Sequence, residues 1–489
     1  MKNLFRVRLT YFLAVIGAVI LPAGCMKPLP AFESTESFAS LFHDRPKADG
    51  VFPGSGKLSL QKAIETALCN NPTNLAAAQS VSAARYGYFK ALSAYAPEIN
   101  ASHLIGHTLS RGWDLKNPPV GVMKRNDHLT TNTAIQASWL LFDGFARELE
   151  AIIARQEYSK SRAIEKNVVR LLERAVAYAY YDMYLAGEEI IIFEEDLAFQ
   201  NAALDQAEER FRNGHVSKAS VLNFRILAAR AGSNISNARY RRKVAFHALA
   251  ALMGYDLRYL PERIELEKIS REELFRIYDE SYYLDLAVML RPDLKGEKIA
   301  LHIARRSKQK AIAGLFPVIR LFSESGLDSF DAQYGGYRVS GARSRQWSFT
   351  YGADVRWNLF QGFATVNAIR RQAALERAAL WGLNAKFLEV AAEVRDAHAN
   401  CQNTRYQIRI FQDMAQWVRE QRDLVFSEYS NGRETITRLN EAQSTLVEAQ
   451  SRLIVSQIEF SKAAAQLAAA AGVRVSQLLP ESSESDKRP

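Results

Sequence analysis

From Gln346 to Leu359 polar and apolar residues alternate without interruption. Trp347, Phe349, Tyr351, Ala353, Val355, Trp357 and Leu359 fall on one side, and Gln346, Ser348, Thr350, Gly352, Asp354, Arg356 and Asn358 on the other. A period of two sustained this long predicts a β-strand with one apolar and one polar face. A weaker copy lies upstream, with Ile135, Ala137, Trp139 and Leu141 set against Asn132, Gln136 and Ser138. A further strand starts at the proline of each of "PEINASHLIG" and "PVIRLFSESG". The pattern therefore predicts two β-hairpins, over 97–142 and 317–360. Val355 is read as lying near the middle of the apolar run.

Past each hairpin the period changes to three and four, as in Leu171, Ala175, Tyr178, Asp182 and Leu185. No proline falls between Pro119 and Pro261, or between Pro317 and Pro480. Long helices are predicted from Ala146 to Arg210 and from Ala364 to Ser427, each roughly 95–100 Å. Asn-Gly turns in "FRNGHVS" and "YSNGRET" end them, and a helix of about 38 residues follows each turn. Leu58–Ala94 and Leu284–Gly314 are each predicted as one further helix of roughly 45–55 Å. One long helix can then lie antiparallel to two short ones stacked end to end.

The layout occurs twice. "WLLFDGF" from Trp139 returns as "WNLFQGF" from Trp357, 218 residues later, and the Asn-Gly turns and the Ala-rich ends at Gly254 and Gly472 keep that offset. Pro72 and Pro292, and Pro97 and Pro317, are 220 apart. The chain is a tandem repeat in which one hairpin loop is two residues shorter in the second copy. It divides into a signal peptide (1–24), an anchored segment (25–57), a first repeat (58–254), an inter-repeat segment (255–283), a second repeat (284–472) and a tail (473–489).

The strands suit a bilayer, which needs about 9–11 tilted residues per strand with aromatic residues at its rims. Four strands cannot close a membrane barrel, and an open edge in lipid leaves backbone groups unpaired. The chain must therefore oligomerise; two copies supply eight strands and three supply twelve. "FDGF" and "FQGF" then mark where a membrane strand ends and a long helix begins, with glycine relieving the bend and aromatics at the interface.

Composition narrows the compartment. Of 489 residues 48% are hydrophobic and 24% charged, which argues against a polytopic helical membrane protein. The net charge of +10 comes from basic residues interleaved with acids, as in "EERFRNGHVSKAS", and reads as solvated helix surface with no nucleic-acid partner. "MKNLFRVR" and the apolar run to "LPAGC" form a secretory signal peptide. Ala23 and Gly24 before Cys25 resemble a bacterial lipobox, implying acylation of Cys25, although Pro22 stands where leucine is usual. Cys69 and Cys401 are read as buried thiols. No histidine or carboxylate spacing fits a metal, and "PGSGK" lacks P-loop spacing. No cofactor and no catalytic constellation is expected. A coiled-coil envelope lipoprotein or adhesin would explain the helices and the anchor, but not the strands.

Taken together, "LSLQKAIETALCNNP", "LFDGF", "NLFQGF", "ERFRNGHVSKASVL" and "EYSNGRETITRLNEAQ" resemble the TolC family of outer-membrane efflux ducts over nearly all of the mature length. The resemblance implies a mixed α and transmembrane β fold. A homotrimer would form a twelve-stranded barrel, continued by a long α-helical coiled-coil barrel in the periplasm of a Gram-negative cell. It implies a periplasmic adaptor protein and an inner-membrane transporter as partners, with small molecules such as drugs as cargo. It places adaptor docking at the tips, Gly214, His215 and Val216 with Gly432, Arg433 and Glu434. It places the periplasmic constriction at Tyr429, Arg438 and Glu441. Arg438 stands where the family has an acid, Ser220 where it has Asp, and Glu434 where it has Arg, so the family's closing links are mostly replaced here.

Overall fold

The computed structural model describes residues 57–114, 122–255, 264–268, 277–334 and 337–475. The segments expected to be the signal peptide and the anchored stretch with Cys25, most of the inter-repeat segment and all but the start of the tail lie outside the described residues. Elements run α1 (Leu60–Asn70), α2 (Pro72–Ser93), β1 (Glu98–Asp114), β2 (Val122–Phe142), α3 (Ala146–Arg212) and α4 (Lys218–Leu252). The second half repeats them as α5 (Glu280–Leu290), α6 (Pro292–Ala313), β3 (Val318–Tyr334), β4 (Tyr337–Arg356), α7 (Ala364–Ser430) and α8 (Ile436–Ala471). Among the described residues no helix is long and apolar enough to cross a membrane.

The four strands form one antiparallel sheet in the order β1-β2-β3-β4. Glu98 faces Ser138 in the first hairpin and Val318 faces Arg356 in the second, so the two hairpins keep the same register under the duplication. β2 then pairs with β3, joining the halves. Edges β1 and β4 have no strand partner among the described residues.

Below the sheet α3 and α7, 67 residues each, reach about 100 Å. Each lies beside two shorter helices, α2 and α4 of 22 and 35 residues beside α3, and α6 and α8 of 22 and 36 beside α7. α1 and α2, like α5 and α6, meet at a break the periodicity did not predict: 58–94 and 284–314 are not single helices. Pro72 and Pro292 have no N–H to continue the ladder, and each pushes the residue before it out of helical geometry. Asn71 and Arg291 accordingly sit at ψ 123° and ψ 120°.

Those two residues hold the returning helices. Asn71 Nδ2 donates to the Leu252 carbonyl at 2.8 Å, closing the end of α4. At the equivalent place Arg291 Nη1 donates to the Ala470 carbonyl at 3.0 Å, closing the end of α8. Arg170 Nη1 donates to the neighbouring Ala469 carbonyl. Two cations at a helix C-terminus satisfy orphan carbonyls and complement the helix dipole. Arg291 is balanced by Asp293 at 2.7 Å and Glu393 at 2.7 Å, and Lys386 also reaches Asp293 at 3.3 Å. Burial by itself would raise the Asp293 carboxyl. The hydrogen bonds and charge of Arg291, with the charge of Arg170, outweigh it and hold that carboxyl well below the usual range. Arg170 is pulled down by burial and by Arg291.

Apolar packing surrounds this belt. One cluster joins Ile64 and Ala67 of α1, Leu172, Val176, Tyr180 and Met183 of α3, Leu249 of α4 and Ala465 of α8. Its counterpart joins Ala287, Leu294, Val394, Cys401 and Leu467. The inward stripe of α3 thus runs one residue later than the expected Leu171–Ala175–Tyr178 face: Leu171 and Asp182 are exposed. Cys401 is buried, and burial pushes its thiol up to about 11. Cys69, expected inside, is exposed, because it falls on the outer side of α1.

Replacing Arg291 by Met should cost about 3 kcal/mol, since it removes the shortest ion pair of both Asp293 and Glu393 and leaves them only the longer contacts to Lys386, Arg170 and Arg174. Asn71→Ala should cost about 1 kcal/mol, a lost cap. The stability that Asp293 supplies is complete above its unfolded pKa of about 4 and is lost as pH falls toward its depressed folded value. Urea midpoints followed by helical circular dichroism should therefore fall more steeply with acid in the unmodified protein than in Asp293→Asn.

Candidate functional site

The sheet carries the alternation through all four strands. Tyr351 faces Ser323, which faces Ala137, which faces Ile99; Phe349, Ser325, Ile135 and Ala101 form the next such row. These odd-numbered positions make the apolar face, and Trp347, Phe349, Tyr351, Val355 and Trp357 are all exposed on it. The even rows are mostly polar, with Leu104, Phe322 and Phe330 among the exceptions. Asn132 Nδ2 donates to Asp328 at 2.6 Å and Gln136 Nε2 to Glu324 at 3.1 Å. Between them Ser102, Ala134, Gly326 and Ser348 form a row of small residues.

The strands, at 17 to 21 residues, exceed what a bilayer requires. On the odd-numbered side the apolar residues run unbroken from Trp347 in β4 to Trp357, the residue after its end. That is ~33 Å of strand, or about 25 Å of height at a tilt of about 40°, which matches the lipid-facing band of an outer-membrane barrel. Val355 is the last residue but one of β4 and close to the Trp357 rim, not mid-band as expected. Ala353 lies nearer the middle.

Each junction from strand to helix is built alike. Gly144 and Phe145 both take left-handed φ, 71° and 68°, as do Gly362 and Phe363 at 56° and 63°. Phenylalanine is a costly occupant of that region. Its ring is held edge-on by a second Phe three residues upstream: Phe142 against Phe145 at 5.5 Å, and Phe360 against Phe363 at 5.6 Å. The tryptophans pin the same corner, Trp139 Nε1 donating to the Tyr95 carbonyl at 2.9 Å and Trp357 Nε1 to the Leu315 carbonyl at 3.1 Å.

At the far end both long helices stop on a left-handed glycine, Gly214 and Gly432. His215 N–H reaches back to the Arg210 carbonyl, and Arg433 N–H to that of Glu428. Ser217 and Thr435 cap the next helices through Ser220 N–H and Arg438 N–H. Gly214, His215, Gly432 and Arg433 are exposed, and Val216, Ser220 and Glu434 half-buried. The two tips pack side by side through Ala207, Val221, Phe224, Val425, Leu439 and Tyr429.

The structure brings Arg438 and Glu441 together at 3.5 Å, both side chains more than half open to solvent or close to it. It sets Tyr429 apart, buried in the tip core, under the Arg210 guanidinium at 5.2 Å. Arg210 also donates to the Ser430 carbonyl at 3.0 Å. This strut between the tips was missed in the sequence, where Arg210 looks like any helix-surface cation and has Glu428 at its repeat position. No three His, Cys, Asp or Glu side chains gather as a metal site among the described residues.

Comparison with known proteins agrees with this geometry. The sequence profile of the outer membrane efflux protein family matches residues 63–255 and 283–473. Protein CyaE of Bordetella pertussis is 25% identical over 405 residues, spanning 80% of this chain and 79% of its own length. The Campylobacter jejuni CmeC outer membrane channel superposes with a TM-score of 0.72 at 16% identity, over 85% of this chain and 86% of that one. The Neisseria gonorrhoeae MtrE outer membrane channel in its open state gives 0.64 at 21% identity, over 85% and 89%. At such identities these two structures speak for the fold.

The faces can be told apart by charge. Ala353→Arg should lower barrel stability by about 2–4 kcal/mol, as a cation does at the bilayer midplane. Ser348→Arg, on the polar face, should leave stability unchanged and alter conductance. Heat-induced dissociation on gels and single-channel recording distinguish the two; equal losses of stability would reverse the face assignment.

Proposed function

This chain belongs to the outer membrane efflux protein family, and from that membership and its open-edged sheet we propose that three copies close into the exit duct of a tripartite system. Outer-membrane efflux channels work in such systems as trimers and extend into the periplasm. The sheet carries the reading: four strands, mostly apolar on one face and mostly polar on the other, with neither edge paired among the described residues. Three such sheets give twelve strands with no edge left in lipid.

In this reading the polar face lines the passage, and small molecules such as drugs leave the periplasm through it. Energy comes from an inner-membrane transporter, bridged to the duct by a periplasmic adaptor. The adaptor grips the tips at Gly214, His215, Val216, Gly432, Arg433 and Glu434, where the two open glycines permit close approach to the backbone. Arg438 and Glu441 face the periplasmic opening. Tyr429 acts from inside the tip, setting how its helices pack. Acylation of Cys25 ties each subunit to the outer membrane.

Purified protein should insert into planar bilayers and give discrete conductance steps; a folded trimer that never conducts would overturn the duct. In the same recordings Glu441→Gln should reduce cation selectivity, and Arg438→Ala should raise it by freeing the carboxylate, because a ring of carboxylates favours cations. An exposed ion pair of this kind is worth under about 1 kcal/mol, so neither change should disturb folding. If neither shifts the reversal potential across a salt gradient, Glu441 does not line the opening.

The anchor is tested separately. Cys25→Ser should abolish incorporation of labelled fatty acid while the trimer still reaches the membrane through its own lipid-facing band. Unchanged labelling would show that Cys25 is not the acylated residue.

A further inference from the structure

Charge is spread unequally over the two faces of the sheet. From Phe349 to Val355 no row of the apolar, odd-numbered face carries a charged residue among the described residues. The next row, His103, Thr133, Leu327 and Trp347, closes the apolar band. Beyond it, toward the hairpin ends, the register places Arg111, Arg125, Arg338, Arg343 and Arg345 on the same face. Among the described residues the acids placed with them are Asp127 and Asp331. Arg345 comes first after the band, and its side chain is exposed. Over the same stretch the other face holds Lys124 against Asp114 and Asp328.

Charge needed only to keep the strand ends wet would fall on both faces. The excess of cations falls instead on the face that turns to lipid lower down. Every cation of that excess is an arginine, whereas Lys124 lies on the opposite face. Arginine keeps its charge at physiological pH, and its planar fork takes phosphate oxygens two at a time. The height also fits. Arg345 and Arg343 lie two and four residues past Trp347. At ~3.4 Å per residue and a tilt of about 40° they stand about 5 and 10 Å beyond the tryptophan rim. The headgroup zone extends about 5–8 Å beyond the hydrocarbon on each side, so the two arginines bracket the level of lipid phosphates.

We propose that this arginine collar binds the phosphates of the outer leaflet's glycolipid and holds a shell of that lipid around the duct. The assignment of the leaflet rests on the duct reading above: the helices extend into the periplasm, so the hairpin ends at 114–122 and 334–337 lie on the far side of the membrane. Asp331 faces Arg343 across β3 and β4 and spaces the cations within the collar. The polar face, where no such excess occurs, stays open as the passage.

The test uses the full purified chain in detergent with two probes, lipid A bearing both phosphates and lipid A stripped of them. Lipid retained through gel filtration is read by native mass measurement. The phosphorylated form should be retained and released by raised salt, since exposed charges are screened; the stripped form should wash away. Arg343→Gln with Arg345→Gln should weaken binding about thirtyfold, at about fivefold for each cation removed. Lys124→Gln, at the same end but on the other face, should bind like the unmodified protein. Equal retention of the two lipids, unchanged binding in the double variant, or an equal loss in Lys124→Gln overturns the collar. If the double variant does not fold, the two-lipid and salt comparisons on the unmodified protein decide the matter. Planar-bilayer recordings on the same preparation separate the two readings. A conducting duct with no preference for the phosphorylated lipid sinks the collar alone, and a protein that prefers that lipid but never conducts sinks the duct alone.

Discussion

A peptide group left without a partner in hydrocarbon costs several kcal/mol, and this chain presents two whole strand edges of such groups. The edges of β1 and β4 cannot be blunted by charge or covered by a loop within the apolar band, because the band is where lipid lies. Pairing with another copy removes the cost at every rung at once. The helices beneath must follow, since each strand of a closing sheet continues through a tightly bent corner into a helix of fixed direction. Closure of the sheet thus dictates the arrangement of the tunnel.

The halves share a skeleton but differ in what secures the middle of it. In the first, a neutral Asn71 closes the end of α4 with one hydrogen bond. In the second, Arg291 does the same for α8 and brings Asp293, Glu393, Arg170 and Lys386 into one network. α8 is the helix squeezed between α7 and α3, so its end is the more deeply buried. Bare carbonyls there have no water to turn to, and a guanidinium supplies several donors where an amide supplies two. The end of α4 lies nearer solvent, and one amide suffices.

Much of this could be read from the letters alone. Strict alternation exposed the strands, and the glycine-aromatic corners and Asn-Gly tips gave both ends of the long helices to within three residues. Pro72 and Pro292 were visible, but an unbroken helical spacing on either side hid the kink that each forces one residue upstream. The phase of α3 was misjudged because that helix touches α1, α2, α4, α6 and α8. A helix buried on several sides shows no single clear apolar stripe. Arg170 and Arg291 passed for surface charges, since nothing in the chain order announces that α8 ends against them. The tip residues were legible as a turn. The burial of Tyr429 was not, because it depends on the packing of one tip against the other.

The clamp at Arg170 divides α3 unequally. About 63 Å of helix lies between Arg170 and Arg212, fixed above by the Ala469 carbonyl and joined at its far end to the neighbouring tip by Arg210. Such an arm works as a lever with its fulcrum at the belt. A tilt of about 5° there would carry the tip sideways by about 5 Å over that length, more than the width of a carbon chain, while the barrel above keeps every rung of its ladder.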